Sequence, residues 1–186
     1  ITHGLVSRIR VLTARNLASF YRVSLSHGQD IISVREEIQL ISSYLTIQKL
    51  RYIEMDYSLD ISPDILPFQI PKLTLQPLVE NAIYHGLKPK RDQGCLTIHG
   101  YLEDGQVKLE VIDNGAGMDP EAARLLLHHP DAKNNGESFG IGSVHMRLQL
   151  VYGADAGLSI ESAPHAGTKV TVCLPEIGRA SCRERV

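Results

Sequence analysis

Three short stretches hold residue types that could do chemistry. In Leu75-Gln76-Pro77-Leu78-Val79-Glu80-Asn81-Ala82-Ile83-Tyr84-His85-Gly86-Leu87, Asn81 and His85 stand four residues apart, which on an α-helix puts them on one face and one turn apart. An Asn side-chain carbonyl is a hard oxygen donor of the kind Mg2+ takes while it keeps several waters and bridges phosphates. Alone, the pair also fits two solvated polar residues. In the second stretch a strand-like run ends in Asp113-Asn114-Gly115-Ala116-Gly117, a carboxylate delivered onto a turn whose two glycines let a flat ligand approach the backbone. Such a carboxylate can accept a hydrogen bond from an exocyclic amine, although Asp-Asn-Gly is also an ordinary turn composition. In the third, Gly140-Ile141-Gly142 precedes an apolar helix, where unpaired N–H groups and the macrodipole stabilise phosphate oxygens. It does not follow a strand, which disfavours a Rossmann dinucleotide site.

Periodicity shows which elements must position these stretches. Leu5, Ile9, Leu12, Leu17, Phe20 and Val23 recur at helical intervals over Leu5 to Leu25, with Arg8, Arg10, Arg15 and Arg22 between them, which predicts an amphipathic helix needing a partner for its stripe. After Ser26-His27-Gly28 a second helix is predicted over about Ser33 to Tyr52, with Ser33 and Glu36 at capping-box spacing. Met55, Tyr57, Leu59 and Ile61 alternate with polar residues as in a half-buried strand, which Pro63 and Pro67 end. The pattern predicts a helix over Leu73 to Leu87, then strands Cys95 to Leu102 and Val107 to Ile112 joined antiparallel through Asp104-Gly105. A short helix from Pro120 to Leu127, a polar stretch His128 to Ser138, a helix Ser143 to Tyr152 and strands Leu158 to Ser162 and Thr168 to Leu174 complete the body. Cys95 and Cys173 fall at strand positions, where a buried thiol acts as a small hydrophobe.

The 186 residues suit one ordinary domain plus an appendage, and 43% hydrophobic with 22% charged residues exclude a disordered or collagen-like chain. A formal charge of −2 provides no field to draw in a nucleic-acid backbone. The absence of 18 consecutive apolar residues predicts no membrane span, and three widely spaced cysteines, Cys95, Cys173 and Cys182, fit free thiols in a reducing, cytoplasmic setting. Gly178 to Val186, GRASCRERV, reads as a non-native tail.

The order and spacing of the three stretches carry a resemblance. Leu75 to Leu87, Asp113 to Gly117, Ser138 to Gly153 and Gly167-Thr168 resemble the four nucleotide-binding boxes of the GHKL ATPases, in the version found in LytS/YehU-type sensor histidine kinases. Upstream, Tyr21 to Leu25, Glu36-Glu37-Ile38 and Tyr44 to Tyr52 resemble that family's region ahead of the ATP domain, so the likeness runs from about Leu17 to Pro175. The resemblance implies an α/β sandwich of the Bergerat type: a mixed, mostly antiparallel sheet with helices on one face, preceded by a helical segment. It implies a partial dimerisation region at 1–52, an ATP-binding kinase domain at 53–177 and the tail at 178–186. By the same analogy Asn81 binds Mg2+, Glu80 orders a metal-bound water, His85 faces phosphate, and Asp113 takes the adenine amine. Gly115 and Gly117 give the base room, Gly140 and Gly142 belong to a lid, Arg147 contacts phosphate, His145 is a surface group, and Thr168 helps hold adenine.

The implied activity is transfer of the ATP γ-phosphoryl group to a His on a separate helical segment and onward to a response regulator Asp, in a homodimeric, membrane-anchored receptor. The alternative is a non-catalytic nucleotide-binding or dimerisation module of the same fold. Hydrolytic superfamily members carry an acidic residue where this chain has Pro77, and the family's phosphoacceptor His motif is missing, so the chain reads as a fragment unable to autophosphorylate. In the lid box the family usually shows Gly-x-Gly followed by Asn and Val, and Gly140-Ile141-Gly142-Ser143-Val144 fits either with Ser143 at the Asn position or with a small deletion.

Overall fold

The computed structural model describes residues 30–52, 55–89, 93–128 and 140–175. The predicted helix from Leu5 to Leu25, the stretch 129–138 and the tail 178–186 lie outside them. In chain order the elements are β1 (Ile31–Ser33), α1 (Val34–Arg51), β2 (Met55–Ile61), a 3-10 turn (Pro63–Ile65), β3 (Gln69–Pro71) and α2 (Leu75–Asn81). A π-helical turn (Ala82–Leu87) continues α2, followed by β4 (Gly94–Glu103), β5 (Gln106–Asp113), α3 (Pro120–His128), α4 (Ile141–Tyr152), β6 (Gly157–Ser162) and β7 (Thr168–Pro175).

Ser33 starts α1 as its spacing predicts: the Ser33 hydroxyl accepts from the Glu36 N–H while the Glu36 carboxylate accepts from the Ser33 N–H at 2.8 Å. Those contacts from Ser33 hold the Glu36 carboxyl below the ordinary carboxylate range. Five strands form one sheet in the order β2-β4-β5-β7-β6, parallel between β2 and β4 and antiparallel elsewhere. This is the mixed, mostly antiparallel sheet that the resemblance implies. Asp104 and Gly105, at φ 51° and 72°, make the two-residue hairpin between β4 and β5, with both central residues left-handed to match the strand twist.

Alternation separates the faces of the sheet. Leu96, Ile98, Leu109, Val111, Val170 and Val172 point inward and share one core with Leu78, Val79, Ile83, Val144 and Leu148 of α2, the π-helical turn and α4. The outward face is polar: Glu110 accepts from the Tyr101 hydroxyl at 3.1 Å, His99 lies 3.5 Å from Asp60 and 3.6 Å from Glu110, and Lys169 pairs with Glu161 at 2.6 Å. The helices thus cover a single face.

Two features depart from the sequence pattern. β1 and β3 pair as a separate two-stranded sheet, each only three residues long and too short to show an alternation. Cys95 is exposed and Cys173 half-buried, because odd positions of β4 face outward; the buried-thiol expectation does not hold for Cys95. Burial pushes the Cys173 thiol up. Ser33→Ala removes the α1 cap, and chemical denaturation should show a loss of about 1 kcal/mol.

Candidate functional site

Asp113 is the last residue of β5, where the sheet register sets it between Leu96 of β4 and Thr168 of β7. Directly opposed residues of an antiparallel pair project to the same face, so the Asp113 and Thr168 side chains, each 5% exposed, share the inward row. The carboxylate Oδ1 accepts from the Gly115 N–H at 2.8 Å, which turns the chain out of the strand. Thr168 Oγ1 lies 3.0 Å from Ser162 Oγ. Ser162 in turn donates to the Gly167 carbonyl at 2.8 Å and accepts from the Met118 N–H at 2.9 Å. Ser162 therefore ties the far end of the Asp113 loop to the β6–β7 turn. Sequence reasoning passed over it, since a Ser at a strand end carries no pattern.

The loop lies directly on the π-helical turn. Ala116 N–H donates to the Gly86 carbonyl at 2.9 Å. A Cβ on Gly115 would sit 2.2 Å from the Gly86 carbonyl carbon, and one on Gly86 would sit 2.6 Å from Asp113 Oδ1. Only two glycines allow this approach. Gly117 is required for a different reason: its φ is +63°, and a Cβ there would meet the Ala163 carbonyl oxygen at 2.0 Å. Gly86 is thus a site residue that the sequence pattern alone did not single out; its signal was a glycine inside a helical repeat, which usually has a packing reason.

α2 is an ordinary helix only through Asn81. Beyond it the bonding shifts to i→i+5, as in Lys88 N–H to the Ile83 carbonyl at 2.9 Å. The wider turn means that four residues fall short of a full revolution. Asn81 is half-buried and His85 exposed, so the two do not share one environment as a straight α-helix predicts. π-turns of this kind recur at functional sites because they swing a backbone segment out of register; here the displaced segment is the one that receives Gly115.

The remaining predicted residues separate. Glu80 accepts from Gln76 Nε2 at 2.9 Å, and its charge bears on Tyr44 of α1, as does nearby Tyr84. Burial, then Glu80, pushes the Tyr44 hydroxyl far above its ordinary range. Gly140 is the N-cap of α4 and Gly142 lies buried in its first turn, so α4 starts two residues earlier than predicted. A Cβ on Gly140 would press on Pro77 Cβ at 2.8 Å, which packs this helix start against α2. Arg147 points elsewhere: its Nη2 donates to the Leu73 carbonyl at 3.0 Å and its charge faces Glu37. His145 is half-buried and accepts the Leu158 N–H at Nδ1, 2.9 Å, joining α4 to β6.

A helix-covered mixed sheet, a buried strand-end acid and glycine-opened backbone beside an Asn-bearing helix define a nucleotide-binding class of fold. A family model described as histidine kinase-, DNA gyrase B-, and HSP90-like ATPase matches residues 70–177, and a second, described as histidine kinase, matches residues 9–55. The chain belongs to the histidine kinase-, gyrase B- and HSP90-like ATPase family. It is similar to the sensor histidine kinase YesM of Bacillus subtilis, 34% identical over 92% of this chain and 27% of that protein. It is also similar to the sensor histidine kinase BtsS of Escherichia coli, 30% identical over 86% of this chain and 26% of that protein. The chain thus spans about a quarter of these relatives. Among solved structures, the catalytic domain of histidine kinase ThkA superposes with a TM-score of 0.59 at 18% identity, covering 78% of this chain and 94% of that one. ThkA in complex with the response regulator TrrA gives 0.57 at 15% identity, covering 94% and 49%. At these identities the superpositions establish the fold. No helix among the described residues is long and apolar enough to cross a membrane.

Because the Gly115 Cβ has no room against Gly86, Gly115→Ala should destabilise the chain by about 1–3 kcal/mol through overpacking, read as a lower denaturation midpoint.

Proposed function

We propose that this chain is the ATP-binding part of a sensor histidine kinase, with Asp113 reading the adenine amine and Asn81 supplying a protein oxygen to Mg2+. The observation that carries it is the docking of the Asp113 loop onto Gly86, five residues past Asn81 on one continuous helix. The residues suit the ligands. A buried carboxylate at a strand end can accept from an exocyclic amine, and the hydroxyls of Thr168 and Ser162 beside it can hold a ring nitrogen directly or through water. Mg2+ takes one or two protein oxygens and fills its remaining positions from phosphates and water, which agrees with the single carbonyl oxygen that Asn81 offers.

When bound, the ion supplies charge neutralisation along the phosphates, and phosphoryl transfer asks mainly for positioning and charge stabilisation. This chain's own groups do the positioning. Gly115 and Gly117 keep the base's approach free of side chains. Gly140 and Gly142 bring α4's N-terminal N–H groups beside Pro77 and α2, on the phosphate side. His85, exposed on the π-helical turn, keeps a side chain long enough to swing toward the phosphates from outside the buried part of the site. Glu80, held by Gln76, orders water next to Asn81. The acceptor is a His nitrogen on a separate helical segment, and the onward partner is an Asp of a response regulator, as the assembly of ThkA with TrrA supports by analogy of fold. In the whole receptor the helical region around 1–52 pairs two copies, an arrangement supported by the match of residues 9–55 to the histidine kinase model.

Calorimetry on the purified chain should show Mg-ATP binding that Asp113→Ala and Asn81→Ala each weaken at least about tenfold, the loss expected when one charged or metal-linked contact goes. Unchanged affinity in both variants refutes the proposal. A phosphoacceptor helix supplied in trans with labelled ATP should become labelled; binding without any transfer would instead assign the chain to the non-catalytic module.

A further inference from the structure

Glu37 of α1 has no exposed surface at all. Its Oε1 accepts the Leu75 N–H at 2.8 Å and its Oε2 accepts the Leu73 N–H at 3.0 Å. These are the unpaired donors that open α2. Thr74 does not cap them, because its own hydroxyl donates to the Pro71 carbonyl. From the other side Arg147 of α4 donates to the Leu73 carbonyl at 3.0 Å and faces Glu37 electrostatically. Leu73 therefore has both backbone polar groups held, its N–H by the buried Glu37 and its carbonyl by the half-buried Arg147, and it sits at φ +59°, a conformation disfavoured for a branched side chain. Burial drives the Glu37 carboxyl up and the Arg147 guanidinium down, while the backbone N–H groups and the facing opposite charge draw each back toward its charged form.

A buried carboxylate is a costly way to hold two helices together, since apolar side chains of similar volume do as well or better. What it adds is a unique geometry. The geometry here concerns α1, the turn Leu73–Leu75 that opens α2 and the middle of α4. Seven residues further along α1, Tyr44 projects from the same side, close enough to Tyr84 in the π-helical turn and to Glu80 of α2 for both to bear on its hydroxyl. One face of α1 thus grips the Asn81-bearing helix at its start and beyond its end.

We infer that Glu37 is a positioning residue for the nucleotide site: through Leu73–Leu75 and Arg147 it fixes α2 and α4, and hence Asn81 and the Gly140–Gly142 helix start, relative to α1. The inference rests on the nucleotide reading above.

Calorimetry with Mg-ATP on the full chain tests it, using Glu37→Gln, which keeps the size but loses the charge and one acceptor. Val107→Ala, deep in the sheet core and away from the site, serves as a control compared at an equal fall in denaturation midpoint. The expected result is that Glu37→Gln weakens Mg-ATP at least fivefold while Val107→Ala leaves the affinity unchanged. Arg147→Lys, which keeps a charge but loses the planar fork, should weaken binding in the same direction, and it carries the test alone if Glu37→Gln does not fold. Wild-type affinity in the folded variants, or equal weakening by Val107→Ala, overturns the inference while leaving the nucleotide reading intact. Failure of the wild-type chain to bind Mg-ATP overturns both.

Discussion

The contact on which the site depends is backbone against backbone, Gly86 against Gly115. A sheet fixes where Asp113 ends up, because hydrogen bonds to β4 on one side and β7 on the other leave its Cα no freedom. The helix carrying Asn81 has no such ladder to the sheet, on which it packs through non-directional apolar contacts. The missing Cβ atoms, together with the Ala116 N–H bond to the Gly86 carbonyl, give that packing one register. Asn81 and Asp113 are thereby referred to a common frame although 32 residues separate them in the chain.

At the opposite end of the same helix the directional element is ionic. Glu37 closes the N-terminus of α2 in place of a local cap, and Arg147 approaches the same turn from α4. The favourable terms are two backbone donors to one carboxylate and an opposed charge; the unfavourable terms are desolvation of both groups and the left-handed Leu73. α2 is therefore restrained at one end by charge and at the other by close backbone approach, with an apolar stripe of Leu75, Leu78 and Val79 between them.

Much of this fold was legible in the residues. Alternation in β2, β4 and β5, the Asp-Gly hairpin and the Ser33–Glu36 box are local signals, and local physics decides them. What stayed hidden is set by partners far along the chain. Glu37 reads as a second solvated acid beside Glu36, yet its acceptors serve N–H groups 36 and 38 residues away. Arg147 sits among a run that resembles a phosphate-binding box, but its long side chain reaches a carbonyl 74 residues back. The switch from α to π bonding after Asn81 has no compositional mark either, because it accompanies the docking of Gly115 rather than any helix preference of Ala82 to Leu87. The residues that the resemblance assigned to the base, Asp113, Gly115 and Thr168, do fall together, since sheet register alone places two of them side by side.

β2 and β4 run side by side in the same direction, so the chain between them must arch over the sheet, and such arches take one hand because of strand twist. In this molecule that arch contains β3, α2 and the π-helical turn. The helix that carries Asn81 is thus not an ornament attached to a finished sheet but part of the bridge that lets edge strand β2 join in parallel. Cutting this bridge short would cost the sheet strand β2 and the fold the helix that carries Asn81 at one stroke, so the sheet's edge and that helix stand or fall together.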